Sequence, residues 1–194
     1  MILGFVVSHL AVHLTALLGI DAHLATLKLV QRVYRNPVVE PLLIAALLTQ
    51  VGLGLRLGWT RWRSTKGDRL ARWQLMSDLY LAFFILNHTG AVFYARYGIG
   101  LDTNFYWASG ALIHPVAKWI FYPYYALAIL AVFVHVAAAI RYRSGSDTGA
   151  RVTLGSGTFV AALILAAFGG WLYPIVIPAH YQNYYDSLLA MAGL

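Results

Sequence analysis

The sequence contains no cysteine. That excludes disulfides, thiolate ligands to zinc or iron–sulfur clusters, and cysteine nucleophiles. Charge is scarce as well. Asp, Glu, Lys and Arg make up 11% of the 194 residues, against about 25% in an ordinary soluble domain. With 60% apolar residues, a soluble fold of this size would lack the charged groups that clothe an exterior. A bilayer removes that requirement. At about 20 apolar residues per crossing, the chain has room for five crossings and little else. The expected architecture is all-α: one membrane domain over 1–194, with no soluble catalytic module. The net charge of +7 does not point to nucleic acid. The basic residues fall in loops between apolar stretches, and no basic groove or exposed aromatic platform is apparent.

Five apolar stretches mark the expected spans, at about 1–18, 37–58, 73–96, 117–140 and 153–177. The first has no Lys or Arg before Lys28. A cleaved signal peptide would carry a basic leading region and a small-residue cleavage site, so the stretch reads as a retained helix. Between the first two spans, Leu24, Leu27, Leu29, Val30 and Val33 outline a short interfacial helix. Pro37 opens the second span, where its missing N–H costs little. A longer loop covers 99–115, and the tail after Ala179 carries Tyr181, Tyr184 and Tyr185 in the manner of an interfacial belt.

Orientation follows from the basic residues. One side holds Arg56, Arg61, Arg63, Lys66, Arg69, Arg72, Arg141, Arg143 and Arg151; the other holds Lys28, Arg32, Arg35, Arg96 and Lys118. The richer side is expected in the cytoplasm. The reading is an inner-membrane protein of a bacterium with its N-terminus inside and its C-terminus outside.

Ionisable side chains within hydrocarbon are expensive and usually mark function. Here they are mostly histidines. His9 and His13 stand one turn apart on one face of the first span, His88 lies in the third and His135 in the fourth. His23, His114 and His180 fall in loops or the tail and say less. His135-Val-Ala-Ala-Ala139-Ile140-Arg141 ends the fourth span with an imidazole facing the bundle and a cation at the interface, Arg141, placed to meet a porphyrin propionate. The second span ends in the same layout, Gln50-Val-Gly-Leu-Gly54-Leu55-Arg56, with glutamine in the histidine position.

Imidazoles on facing helices are what a bis-histidine b-type haem requires, with small residues such as Gly4, Gly52, Gly54 and Gly90 making room for the ring. Membrane histidines and glycines also serve as plain interhelical contacts. At 1.5 Å per residue, His9 is about 12 Å and His13 about 18 Å along the first span, and His88 about 22 Å beyond Trp73. Depth therefore favours His13 opposite His88 and leaves His9 open. His135 sits toward the inner side, opposite Gln50, which is not a usual haem ligand.

This pattern resembles the cytochrome b membrane anchors of succinate:quinone and quinol:fumarate oxidoreductases, in their five-helix, two-haem form. His135–Arg141 resembles the ligand motif of the fourth helix. Trp73-Gln74-Leu-Met-Ser77-Asp78-Leu followed by His88 resembles the third helix, and His9 or His13 before Leu17-Leu18-Gly19 the first. The resemblance spans nearly the whole chain on sparse motifs. It implies haem b, a quinone, and a partner iron–sulfur or flavoprotein subunit, and at most the electron-transfer part of an enzyme. Three features depart from it. Gln50 replaces a ligand, leaving one haem with both axial residues. The chain starts in a helix, without a leading cytoplasmic segment. Val134 and Val136 flank His135 where some members place an acid.

Among the remaining candidates, Asp78 could bind a quinone or move a proton, or simply cap its helix. Gln74 and Ser77, one turn apart, could hydrogen-bond a quinone carbonyl or join helices. Glu40 reads as an ordinary helix-start acid, and Trp59, Trp62 and Trp73 as interface anchors. The aromatic run Asp102–Trp107 could cover a pocket over the His88 end. The competing functional class is a haem-free scaffold or accessory subunit of a larger membrane complex. A small transporter is weaker, because the echo joins two parallel helix ends rather than inverted ones.

Overall fold

The computed structural model describes residues 2–61 and 69–193. Trp62, Arg63 and Lys66 lie outside them. Among the described residues the chain is helical, without strands. α1 (Ile2–Leu14) tightens into a 3₁₀ turn (Thr15–Leu18), followed by α2 (Ile20–Tyr34) and α3 (Val39–Arg61). α4 (Arg69–Phe93) runs on into a π-helical turn (Tyr94–Gly98). α5 (Phe105–Ile113), α6 (Lys118–Ser144), α7 (Asp147–Phe168) and α8 (Ala179–Met191) complete the chain.

Four helical segments are long and apolar enough to cross a bilayer: Val39–Thr60, Arg69–Gly98, Lys118–Ser144 and Asp147–Phe168. Large apolar side chains point outward from them, among them Leu48, Leu53, Phe83, Leu127 and Phe159. Trp59, Trp73 and Trp119 are exposed as well, at 86%, 65% and 76%. So much exposed aromatic and aliphatic surface on long helices is what lipid requires and water penalises. Ile2–Leu18 is a shorter apolar helix.

The ends of these elements follow local chemistry. Gly19, at φ 113°, makes a turn that a side chain would resist, and α2 returns along α1. His23 comes against His13, and Tyr34 against Phe5 and Ser8. Both ends of α2 meet one stretch of chain, His23 edge-on to Phe105 and Arg35 on Asp102 and Thr103. The Asn36 side chain accepts the backbone N–H groups of Val38 and Val39 and starts α3. Ser146 caps α7 by accepting the Gly149 N–H at 3.0 Å. That helix therefore begins at Asp147 rather than 153. It stops at Phe168 rather than 177, because Gly169, Gly170 (φ 75°), Pro174 and Pro178 interrupt it.

Two further helices fall where the sequence reading placed a loop and a polar tail. α5 starts at the cap Asn104, whose side chain accepts the Tyr106 N–H. α8 lays Tyr181, Tyr185 and Leu189, spaced four apart, into the core. Tyr185 donates to the Trp107 carbonyl and Tyr181 to that of Asp102, so these rings act as an inward seam on α5 rather than as a lipid belt.

α6 and α7 pack closest of all. A Cβ placed on Gly157 would lie 2.5 Å from Phe133. Gly4, Gly52, Gly54 and Gly90, expected to make room for a ring, have nothing within 4 Å of such a Cβ. Gly157→Ala should therefore cost about 1–3 kcal/mol through overpacking and lower the melting temperature in detergent. Gly155→Ala, two residues away with nothing within 4 Å, should leave it unchanged.

Candidate functional site: a histidine-lined cavity

A cavity of about 1350 Å³ lies among α1, α2, α3, α4, α6 and α7. Drug-sized pockets run to about 300–1,000 Å³, so this one admits a larger ligand. Its walls are mainly apolar. Its polar groups gather at two ends.

At one end α1, α2 and α4 bring four imidazoles together. His13 Nε2 lies 3.2 Å from His9 Nε2, and His13 Nδ1 lies 3.4 Å from His23 Nε2. The His9 ring stands 6.2 Å from that of His88, centroid to centroid. Phe84 stacks on His88 at 5.0 Å, and Trp107 of α5 closes on it at 6.2 Å. Of the run at 102–107, Trp107 is the ring against His88, and it lies on the helix that begins at Phe105. His9, not the depth-favoured His13, is the ring set against His88; His13 is turned between His9 and His23.

His23 was the least expected member. It is buried at 1% exposure, wedged edge-on against Phe105 and Phe168. The signal was present in the interfacial-helix pattern. His23, Leu27, Val30 and Tyr34 recur at helical spacing, and all four line the cavity.

At the other end, His135 Nδ1 and Asp78 Oδ1 form a 2.5 Å pair between α6 and α4. Asp78 thereby occupies one imidazole nitrogen and leaves Nε2 available to the cavity. Gln50, Gln74, Tyr142 and Arg143 line the same region. Two expected contributors are placed differently. Arg141 is held by the Gly145 carbonyl and by Asp147 across the α6–α7 turn, so the cavity-lining cation here is Arg143. Ser77 donates to the Gln74 carbonyl, a bond within its own helix, and does not line the cavity. Its neighbour Gln74 does.

Near the first end, Glu40 is no simple helix-start acid. Arg96, on the π-helical turn, pairs with it, and the Tyr97 hydroxyl donates to it at 3.1 Å. Arg35 reaches Asp102 at 3.2 Å and Thr103 at 3.0 Å. Arg35, Glu40 and Arg96 all line the cavity, which gives it a charged mouth beside the imidazoles.

Among the described residues, no group of three or more His, Asp or Glu is arranged to hold a bare metal ion. The donors available to a cofactor are facing pairs. No protein family, curated protein or solved structure matches the chain.

His23 lies outside the four long helices, and burial, reinforced by nearby His9, lowers its pKa from 6.5 to about 4. An unfolded chain would take up that proton near 6.5, whereas the folded one resists until about 4. The stability tied to neutral His23 is therefore present above 6.5 and lost as the pH falls toward 4. The melting temperature should drop across that interval, and the slope should be shallower in His23→Gln. An unchanged slope would show that His23 is not the titrating group.

Proposed function

We propose that this chain is a membrane subunit that holds a b-type haem and carries electrons between a quinone pool and a partner redox subunit. His88 and His9 are the axial ligands in this reading. The observation that carries it is that pair, rings 6.2 Å apart on different helices in the wall of the large cavity. A tetrapyrrole brings four nitrogens of its own and asks the protein for only two, which suits facing pairs of imidazoles. The cofactor would supply one-electron chemistry.

The protein's own residues do the remaining work. Phe84 and Trp107 pack the His88 ring in place. The mainly apolar walls favour an apolar ligand, and at the same end Arg35 and Arg96 are each held by a carboxylate, Asp102 and Glu40. His135, oriented by Asp78, is a further ligand candidate, with Gln50 in place of a facing imidazole. Gln74, beside it on the cavity wall, is the polar group offered to a quinone carbonyl. The proposal takes the resemblance to the cytochrome b anchors of succinate and fumarate oxidoreductases as its guide, with an iron–sulfur or flavoprotein subunit as the partner class.

The reading includes five crossings in a bacterial inner membrane, N-terminus in and C-terminus out. As a 13-residue α-helix and a 4-residue 3₁₀ turn, Ile2–Leu18 is about 28 Å long, near the roughly 30 Å of hydrocarbon. The second reading is a haem-free scaffold. It is favoured by the way His9, His13 and His23 hydrogen-bond in a string without a ligand.

A reduced-minus-oxidised spectrum of the purified protein separates the two. The haem α band should be present, lost in His88→Ala and in His9→Ala, and retained in His135→Ala. A colourless protein, or a band untouched by His88→Ala, would sink the haem assignment. Topology is testable because the chain has no cysteine of its own. In intact cells an impermeant maleimide should label Ser187→Cys and spare Ser144→Cys; the reverse pattern would invert the orientation.

A further inference from the structure

His9, His13 and His23 form a string in which the middle ring uses both of its nitrogens, Nε2 toward His9 and Nδ1 toward His23. A neutral imidazole has one donor and one acceptor. If His13 donates to one neighbour it must accept from the other, so the string runs in a single direction. The direction is set at its buried end. His23 Nδ1 is buried and has no hydrogen-bond partner, and Phe105 and Phe168 hold its ring edge-on. An orphaned buried N–H is the rarer fault, a bare acceptor the more tolerable one. His23 therefore carries its proton on Nε2 and donates to His13 Nδ1. His13 carries its proton on Nε2 and donates to His9 Nε2. His9 is left protonated on Nδ1, with its lone pair on Nε2.

We propose that His23, acting through His13, is a positioning residue that fixes the tautomer of His9, with the proton on Nδ1, and so leaves Nε2 as its unprotonated nitrogen. The His13 N–H holds that lone pair, so ligation opposite His88 requires the His9 ring to turn away from His13 while keeping the same tautomer. The purpose of the device rests on the haem reading; its geometry does not. Without the string, His9 would populate both neutral tautomers, only one of which offers Nε2.

The test is ¹⁵N NMR of histidine-labelled, haem-free protein in lipid nanodiscs at neutral pH. Couplings across the hydrogen bonds should link His13 to both His9 and His23, and His9 should show one tautomer, protonated on Nδ1. In His23→Phe the coupling at His13 Nδ1 should vanish and a second set of His9 resonances should appear. His23→Gln, which restores an amide donor, should return a single set. A merely structural role would lower the melting temperature of His23→Phe and leave the His9 tautomer alone. That result, or a wild-type His9 protonated on Nε2, would overturn the proposal. Should His23→Phe fail to fold, the wild-type couplings and tautomer still decide it. A missing α band after haem addition would remove the haem reading and leave these resonances untouched.

Discussion

In hydrocarbon, a polar group must find its partner within the protein, and the inner face of this bundle is organised by that demand. His9, His13 and His23 hydrogen-bond in a string, with His23 Nδ1 left without a partner. Asp78 meets His135 across 57 residues of sequence, and Glu40 meets Arg96 across 56. Apart from His9–His13, which share α1, these pairings join different elements and so also set a helix position. Tyr80 on the Tyr124 carbonyl and Tyr185 on that of Trp107 do the same for α4 on α6 and α8 on α5.

Packing divides the molecule into unequal parts. α6 and α7 lie tightly together at Gly157, and α4 packs on α6. α5 and α8 close one end with buried Phe105, Trp107 and Tyr185. This body carries His88 and His135. The other three imidazoles of the first cluster sit on the α1–α2 hairpin, anchored at its turn by buried Ala16, whose carbonyl accepts from Tyr173. His9 and His88 therefore stand on opposite sides of the contact between the α1–α2 hairpin and this body.

What could be read in the sequence was what depends on one helix at a time. The second, third and fourth apolar stretches correspond to long helices, the His9–His13 face is real, and the segment after Gly19 is helical. Features that depend on two elements meeting were not legible. His23 looked like a loop residue because its burial comes from Phe105 and Phe168, each more than 80 positions away. Asp78 and His135 were each noticed, but nothing local states that they touch. Arg141 was placed near a ligand by its spacing from His135; the turn that follows captured it through Asp147. α8 read as a polar tail because its buried stripe is made of tyrosines, whose rings pack inward while their hydroxyls reach backbone carbonyls of α5 and the stretch before it.

The choice between a cofactor site and a scaffold turns on what the imidazoles do for stability. Hydrogen bonds between helices in a membrane contribute only about 0.6 kcal/mol on average. A scaffold would obtain that from serine or threonine without the volume of four rings. Histidines gathered at one end of a cavity of about 1350 Å³ also forgo the packing that apolar side chains would give there. The arrangement therefore gives up stability locally. That cost is intelligible where a ligand fills the space and recovers the lost contacts, and the ligand that asks least of the protein's donors is one that brings most of its own. In that reading the hairpin histidines and His88 are two halves of a single site.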